Sequence, residues 1–356
     1  MSFKSDNAAY ENWLRAQCRC IGCRVVEADL KYKHARMKES AFVFLRATFF
    51  RWAKRIETIC PDLADAPAVL SIADTHVENF GTWRDAEGRL IWGVNDFDEA
   101  TAIPYPFDLV RLATSIRLAD EPGPNNRVAA DALLEGYSEG LSKPRPTLLD
   151  EQETWMREYV GVSDKKRRKF WDEVDGYPAA KPPPPAFVMK GLRKSIPDGA
   201  VISSKARTRR KGGGSLGRPR YVAVAGWRGG RLVREAKALV PSAWDWAHDV
   251  DSTSTRFLEL ARSRFRAPDP FLDVHDGFVF RRIAADSRKV NLGEDGMVLR
   301  KHLFRAMGFD LGALHAADRR ANAIERHLAR LPDDWLHDAA KAAAADVEQD
   351  FCEWTG

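Results

Sequence analysis

The chain has 356 residues, long enough for two packed bodies, and its 44% hydrophobic and 30% charged content marks a globular protein, neither disordered nor fibrous. A net charge of +5, with both signs spread along the chain, permits an anionic ligand but does not demand nucleic acid. No apolar run is long enough to span a bilayer, and the opening M-S-F-K-S-D-N-A-A-Y-E-N-W lacks the apolar stretch of a signal peptide, so a cytoplasmic protein away from membranes is expected.

Residues 1–67 read as a helical segment, with Phe42, Leu45, Phe49, Trp52 and Ile56 forming an apolar stripe at three- and four-residue steps. The five cysteines, an odd number, argue against a disulfide framework. Cys18, Cys20 and Cys23 form C-x-C-x-x-C, which suits zinc or an iron–sulfur centre only with a fourth ligand such as His34 or Cys60. Small buried thiols are the commoner use of such residues.

The most informative stretch follows. Val69 to Ile72 reads as a buried strand ending in D-T-H-V-E-N-F, and Leu90 to Val94 as a second strand ending in N-D-F-D-E. Together they deliver Asp74, His76, Asn79, Asp96 and Asp98 to neighbouring loops. Any one of these acids alone would read as a solvated strand end. As a set they match what phosphoryl transfer requires: a carboxylate beside the attacking hydroxyl, and an amide plus a carboxylate holding magnesium against phosphates. Helices are expected over Asp108 to Ala119, Arg127 to Leu141 and about Leu149 to Tyr159. The K-K-R-R-K tract at Lys165 to Lys169 reads as a solvated helix face. K-P-P-P-P at Lys181 to Pro185 cannot continue a helix and marks a boundary.

Beyond the boundary the chain turns to short strands and glycine-rich turns. G-G-G-S-L-G, with Gly213, Gly214, Ser215 and Gly217, precedes the strand Tyr221 to Ala225, the turn W-R-G-G and a strand carrying Lys237. Glycines let a backbone approach phosphates and offer them amide hydrogens. A lysine on the following strand is where a kinase holds the α- and β-phosphates. A flexible hairpin loop is the plain alternative for the glycines alone. Ser252, Thr253 and Ser254 offer an N-cap for a helix with Leu258, Ala261 and Phe265 on one face, and Glu259 on it is the candidate partner of Lys237. A strand at Phe278 to Phe280, a helix with Leu303, Met307, Leu311 and Leu314, and a last helix from Leu336 to Phe351 complete the chain.

On these residues the chain resembles the aminoglycoside phosphotransferase and choline kinase branch of the protein-kinase-like fold, where G-D-x-H-x-x-N precedes an I-D-F/W-D strand end. The resemblance implies Asp74 as the catalytic Asp and Asn79 and Asp96 as metal ligands. It further implies that Asp108, in P-F-D-L-V-R-L, is the buried brace of the catalytic loop. The pattern departs at Ile72 and Ala73, where that branch carries His and Gly. The glycine-rich part follows the catalytic loop instead of preceding it, and the helix ending L-G-A-L-H resembles the one that normally comes just before that loop. That order implies a circular permutation, with the proline tract bridging the old ends. The chain also resembles the bacterial family of unknown function DUF2252, through Arg36, Met37, Ser40, Phe42, Phe44 and Arg46, then A-D-T-H-V-E-N-F-G and N-D-F-D-E, and later Arg256, Glu259, Arg262 and Asp269 to Leu272.

The expected fold is α+β, two-lobed, kinase-like and permuted: 1–67 helical, 68–180 carrying the catalytic loop, 186–295 a sheet lobe, and 296–356 helices returning to the first lobe. The expected function is phosphoryl transfer from Mg-ATP to an unspecified acceptor. Rival readings are a nucleotide-binding module without transfer and a hydrolase using Asp74, His76, Asp96 and Asp98 as metal ligands. A weaker one makes Lys205 to Gly214 a nucleic-acid contact.

Overall fold

A computed structural model describes residues 2–119, 125–203, 205–287 and 301–356, together with the backbone but not the side chains of residues 158 and 159. The expected boundary between 295 and 296 lies outside them. Helix α1 (Phe3–Cys20) is capped by the Ser2 hydroxyl, which accepts from the Ser5 amide, and α2 (Glu27–Arg36) follows. The apolar stripe of residues 42–56 is buried as expected, but on two helices, α3 (Ala41–Ala47) and α4 (Phe49–Ile59). The break falls at Thr48, whose hydroxyl bonds back to the Phe44 carbonyl (2.8 Å) while its backbone leaves helical geometry at φ −127°.

Strand β1 (Ala68–Ser71) is followed by the hairpin of β2 (Phe80–Arg84) and β3 (Leu90–Val94), then β4 (Thr101–Pro104). The strands carrying the two acidic motifs do not share a sheet. β1 pairs with β4, whereas β3 lies between β2 and β5 (Thr147–Leu148). Helix α5 (Pro106–Leu118) starts on a proline, whose missing N–H costs nothing in a first turn, and is buried almost throughout. Helix α6 is Asn126–Ser142. The helix expected over 149–159 is replaced by turns and the single-turn α7 (Arg157–Val160). Leu149 is tied to the Leu90 carbonyl (2.9 Å), and Glu153 adopts a left-handed conformation that interrupts a helix.

The basic tract lies on α8 (Asp164–Gly176) and is solvated, and α9 (Ala186–Lys194) starts directly after the last proline. An antiparallel sheet then runs in the order β10-β11-β9-β8-β6, with β7 also on β8. Its strands are β6 (Val201–Ile202), β7 (Arg207–Thr208), β8 (Arg220–Trp227), β9 (Gly230–Ala238), β10 (Asp273–His275) and β11 (Phe278–Ile283). The β8–β9 turn places Arg228 and Gly229 at positive φ, the geometry that matches strand twist in a two-residue hairpin. One sheet face packs Ala223, Ala236, Ala238, Phe278 and Phe280 onto Leu14, Leu30, Val188 and Leu192 of α1, α2 and α9. By strand alternation the other face carries Arg220, Glu235, Lys237 and Arg281.

Between these strands lie α10 (Ala243–Ala247) and α11 (Phe257–Ala261). The expected cap at Ser252–Ser254 is not formed. Ser252 bonds the Ser254 carbonyl (3.1 Å), α11 starts after Arg256, and Phe265 falls beyond its end. The chain closes with α12 (Lys301–His315), α13 (Ala321–Leu328) and α14 (Trp335–Thr355), whose expected apolar faces pack against α5 and α6. The architecture is α+β. Among the described residues no helix is long and apolar enough to cross a membrane.

Helices α6 and α12 approach closely, with Gly136, Gly140, Gly308 and Gly312 facing one another. A Cβ on any of them would overlap a backbone carbonyl of the opposite helix. Gly308→Ala is therefore expected to destabilise by about 1–3 kcal/mol or more through overpacking. Gly226→Ala, at a site with open space, is expected to stay within about 0.5 kcal/mol. Urea unfolding midpoints of the two variants check the contrast.

Candidate active site

The segment from Ile72 to Asn79 is shaped by one face of α5. Asp108, Arg111 and Ser115 stand at i, i+3 and i+7 and so share that face. The Asp108 carboxylate, fully buried, accepts from the Ile72 amide (2.9 Å) and the Ala73 amide (2.7 Å). The Thr75 hydroxyl donates to the Asp108 carbonyl (2.7 Å), and Ser115 Oγ accepts from the Val77 amide (3.1 Å). This is the brace expected of Asp108, not a helix cap. The brace holds Ala73 at φ +67°, a left-handed conformation that strains a residue with a Cβ. It is the position where the resembling families carry Gly.

Behind Asp108 stands His315, at the end of α12. Its Nε2 lies 3.2 Å from Asp108 Oδ2, and its Nδ1 lies 2.9 Å from the Tyr137 hydroxyl. A carboxylate only accepts, so Nε2 carries a proton toward Asp108.

Asp74 projects from the braced loop into the cleft, largely buried. Arg111, fully buried, donates Nε (2.9 Å) and one Nη (2.6 Å) to Asp74 Oδ1, and its guanidinium sits over Phe49 (5.0 Å) and Trp52 (5.1 Å). Burial pushes the Asp74 carboxyl up to about 6; Arg111 opposes this, while Glu99 and Asp96 add to it. Asn79 donates its side-chain amide to the Asp74 carbonyl (2.5 Å), and its own carbonyl accepts from the Asn95 amide (3.1 Å). That second bond joins the Asp74 loop to the strand end bearing Asp96 and Asp98, although their strands are in different sheets.

The sheet supplies the opposite wall. Lys237, buried on β9, places Nζ 3.2 Å from Asp96 Oδ1 and 2.5 Å from Asp98 Oδ1. Arg218, just past the glycine-rich stretch, reaches Asp98 (3.4 Å) and Glu99 (2.7 Å). Glu99 in turn accepts from the Ala243 amide (2.6 Å) and the Ser242 hydroxyl (3.2 Å). Burial and the neighbouring Asp96 raise the Asp98 carboxyl, against the pull of Lys237 and Arg218. Ser215 is held by Arg220 (2.6 Å). Arg220 also pairs with Glu235, which Arg209 and Arg281 bind as well. Gly214 lies over the Asp74 loop, where a Cβ would meet Asp74 Oδ2 at 3.4 Å and the Arg46 carbonyl at 3.0 Å.

A small open cleft results, lined by Asp74, His76, Asn79, Asp96, Asp98 and Glu99, by Gly212 to Ser215 and Arg218, and by Arg46. The residues expected from the two acidic motifs and from Gly213, Gly214 and Ser215 therefore meet, and Lys237 reaches them through its ion pairs. Gly217 turns at φ +97° behind the cleft, packed on Leu30. Glu259 does not join them. It is exposed on the short α11 and paired with Arg256 (2.5 Å), while the partners of Lys237 are Asp96 and Asp98.

Sequence reasoning missed Arg111, Arg218 and Glu99, and left Arg46, which pairs with Glu78 (2.6 Å), as a pattern letter only. For Arg111 a signal existed, because it falls one helical turn after Asp108. Four of the cations in the Lys205–Gly214 tract have partners within the chain. Arg207 bonds the carbonyls of Val174 and Asp175, Arg209 pairs with Glu235, Arg210 with Asp29 and Lys211 with Glu173. Among the described residues no group of three or more His, Cys, Asp or Glu is gathered to hold a metal ion, whether at the Asp74–Asp98 set or at the cysteines. Cys20 is exposed, and His34 is paired with Glu11 (2.5 Å).

Residues 24–164 match the family model described as "Uncharacterized protein conserved in bacteria (DUF2252)". No curated protein and no solved structure matches the chain. The matched span holds Asp74, Asn79, Asp96, Asp98, Asp108 and Arg111, and ends before the glycine-rich loop and Lys237.

Replacing Asp108 by Asn turns an acceptor-only carboxylate into a group with one acceptor, leaving a buried amide of the loop unpaired. Asp108→Asn is expected to cost on the order of 1–3 kcal/mol. The check is a urea midpoint that falls with an unchanged slope. A change below about 0.5 kcal/mol would contradict the brace.

Proposed function

We propose that the cleft binds a magnesium–nucleoside triphosphate and transfers its terminal phosphoryl group to an acceptor, in a permuted, kinase-like arrangement. The observation carrying this reading is that Asp74, Asn79 and Asp96 line one cleft with a glycine-rich loop more than a hundred residues away, and that Lys237 is ion-paired to the acids of the same cleft. The docking of α12 behind the Asp74 loop, through His315, supports the permuted order. The hard oxygen donors of Asn79 and Asp96 suit magnesium, which keeps several waters and needs few protein ligands. When bound, the ion would neutralise charge on the phosphates.

On this reading Lys237 exchanges its contact with Asp96 and Asp98 for phosphate oxygens, freeing Asp96 to act as a ligand. Backbone amides of Gly213 to Ser215 cover the phosphates. Asp74, with Oδ1 pinned by Arg111, keeps Oδ2 for the acceptor hydroxyl, which it orients or deprotonates. A binding module without transfer is the second reading, favoured by the closeness of Gly214 to that same Oδ2.

Thermal shift with ATP or GTP and magnesium tests binding. A ligand at a hundred times its Kd should stabilise the protein by about 2.7 kcal/mol. No shift at millimolar nucleotide would count against both readings. Asp96→Asn is expected to weaken magnesium-dependent binding. Asp74→Ala is expected to leave binding intact and lower transfer by on the order of 10²–10⁴-fold. The pH dependence follows from the raised Asp74 carboxyl. It ionises only above about 6, so transfer should fall about tenfold per pH unit below that value while nucleotide binding holds. A flat rate from pH 7 to pH 5 would contradict the role given to Asp74.

A further inference from the structure

Helix α1 ends in a motif whose geometry brings two thiols together. Gly22 sits at φ +72°, the Gly22 amide bonds the Arg19 carbonyl (3.0 Å), and the Cys23 amide bonds the Cys18 carbonyl (2.9 Å). This pair of bonds is a Schellman cap, in which the side chain just past the left-handed glycine touches the one four places before that glycine. Those side chains are ordinarily apolar. Here they are Cys23 and Cys18, which share one buried apolar cluster. A disulfide needs Cα atoms roughly 4.4–6.8 Å apart, and the cap's backbone bond holds the two residues within such reach.

We propose that Cys18 and Cys23 are an oxidation site, closing a reversible disulfide that is sensed by the glycine-rich loop. The neighbouring Cys23 thiol, with Arg218 and Arg19 nearby, holds the Cys18 thiol below its ordinary range, so Cys18 is the sulfur that is more readily a thiolate. Both are buried, but Cys23 keeps 8% exposure where Cys18 has none, so a small oxidant meets Cys23 first. With a peroxide, the Cys23 sulfur attacks one oxygen, the O–O bond breaks, and the leaving hydroxide takes the Cys23 proton as water. The Cys18 sulfur then attacks the resulting sulfenic acid, forms the S–S bond, and the second hydroxide leaves with the Cys18 proton as water. Two thiols and one hydrogen peroxide give one disulfide and two waters.

The coupling to the cleft is direct. The Val26 amide, three residues past Cys23, donates to the Gly217 carbonyl (2.8 Å). Leu30, packed in the same apolar cluster as both cysteines, lies against Gly217, where a Cβ would approach its Cδ2 at 2.5 Å. Gly217 precedes Arg218, which holds Asp98 and Glu99. A cross-link that tightens the 18–23 turn therefore acts on the anchor of the loop lining the cleft, whatever ligand that cleft takes.

The test uses the full chain carrying Cys20→Ser and Cys352→Ser, which removes the two exposed thiols and leaves Cys18, Cys23 and Cys60. After hydrogen peroxide treatment and alkylation, trypsin cuts at Arg19, between the two cysteines, so a disulfide appears as two joined peptides in non-reducing mass spectrometry. The expected result is that joined pair, loss of two alkylatable thiols per chain, and a several-fold change in amide exchange over residues 212–218, all reversed by dithiothreitol. Cys18 and Cys23 recovered as free thiols, or as sulfinic acids without a link, would overturn the site. A disulfide that leaves exchange over 212–218 unchanged would overturn its connection to the loop. Neither readout depends on nucleotide binding, so its outcome is separable from that of the phosphotransfer reading.

Discussion

Everything in the candidate site hangs from the carboxylate of Asp108. It has no solvent, so its lone pairs are satisfied by two adjacent loop amides and by a histidine from a distant part of the chain. The bond to Ala73 fixes a left-handed alanine, a conformation the loop would not hold unaided. The same helix face then sets Asp74 through Arg111 and Val77 through Ser115. The backbone of the candidate catalytic loop is thus written onto three positions of one buried helix. His315 extends the tie to α12, and the glycine pairs let α12 press against α6 closely enough to bring it there.

The second constraint is electrostatic. Asp74, Asp96, Asp98 and Glu99 crowd one wall of a small cleft, and their desolvation is tolerated because Arg111, Lys237 and Arg218 face them at ion-pair distance. Two of those cations come from the sheet side and one from a helix, so the pairs also fasten the sheet to the helical body. Such an arrangement favours a ligand that brings its own charges of both signs. An anion can take over Lys237 while a cation takes over Asp96, and no charge is left buried alone. A metal-bound polyphosphate is a ligand of that kind, which is why the proposed function rests on the charge pattern as well as on motif letters.

Much of this was legible in the sequence. The acids at the ends of short apolar runs, the glycine-rich stretch before a hairpin and the lysine on its second strand all lie in the places their patterns imply, because strand ends and tight turns are set locally. Asp108 was legible only through family resemblance, since its partners are distant backbone amides. Glu259 was misjudged for a related reason. A helix acid can pair with a cation three or four residues away, and Arg256 three residues earlier was available to it. The helix over 149–159 and the cap at Ser252–Ser254 failed where a single long-range strand bond or a local side-chain bond outweighed helix pattern. Arg218 and Glu99 were invisible because their roles exist only once the glycine-rich loop and the N-D-F-D-E strand end are folded together.

The central claim is that Asn79, Asp96 and Lys237 belong to one metal–phosphate site. The most direct measurement is a crystal structure grown with manganese and a non-hydrolysable ATP analogue, read by the anomalous signal of the metal. The account expects a manganese peak at ligand distance, roughly 2.0–2.2 Å, from Asp96 and Asn79, with phosphate oxygens against Lys237 and the amides of Gly213 to Ser215. Manganese and nucleotide bound elsewhere, with Lys237 still paired to Asp96 and Asp98, would contradict it.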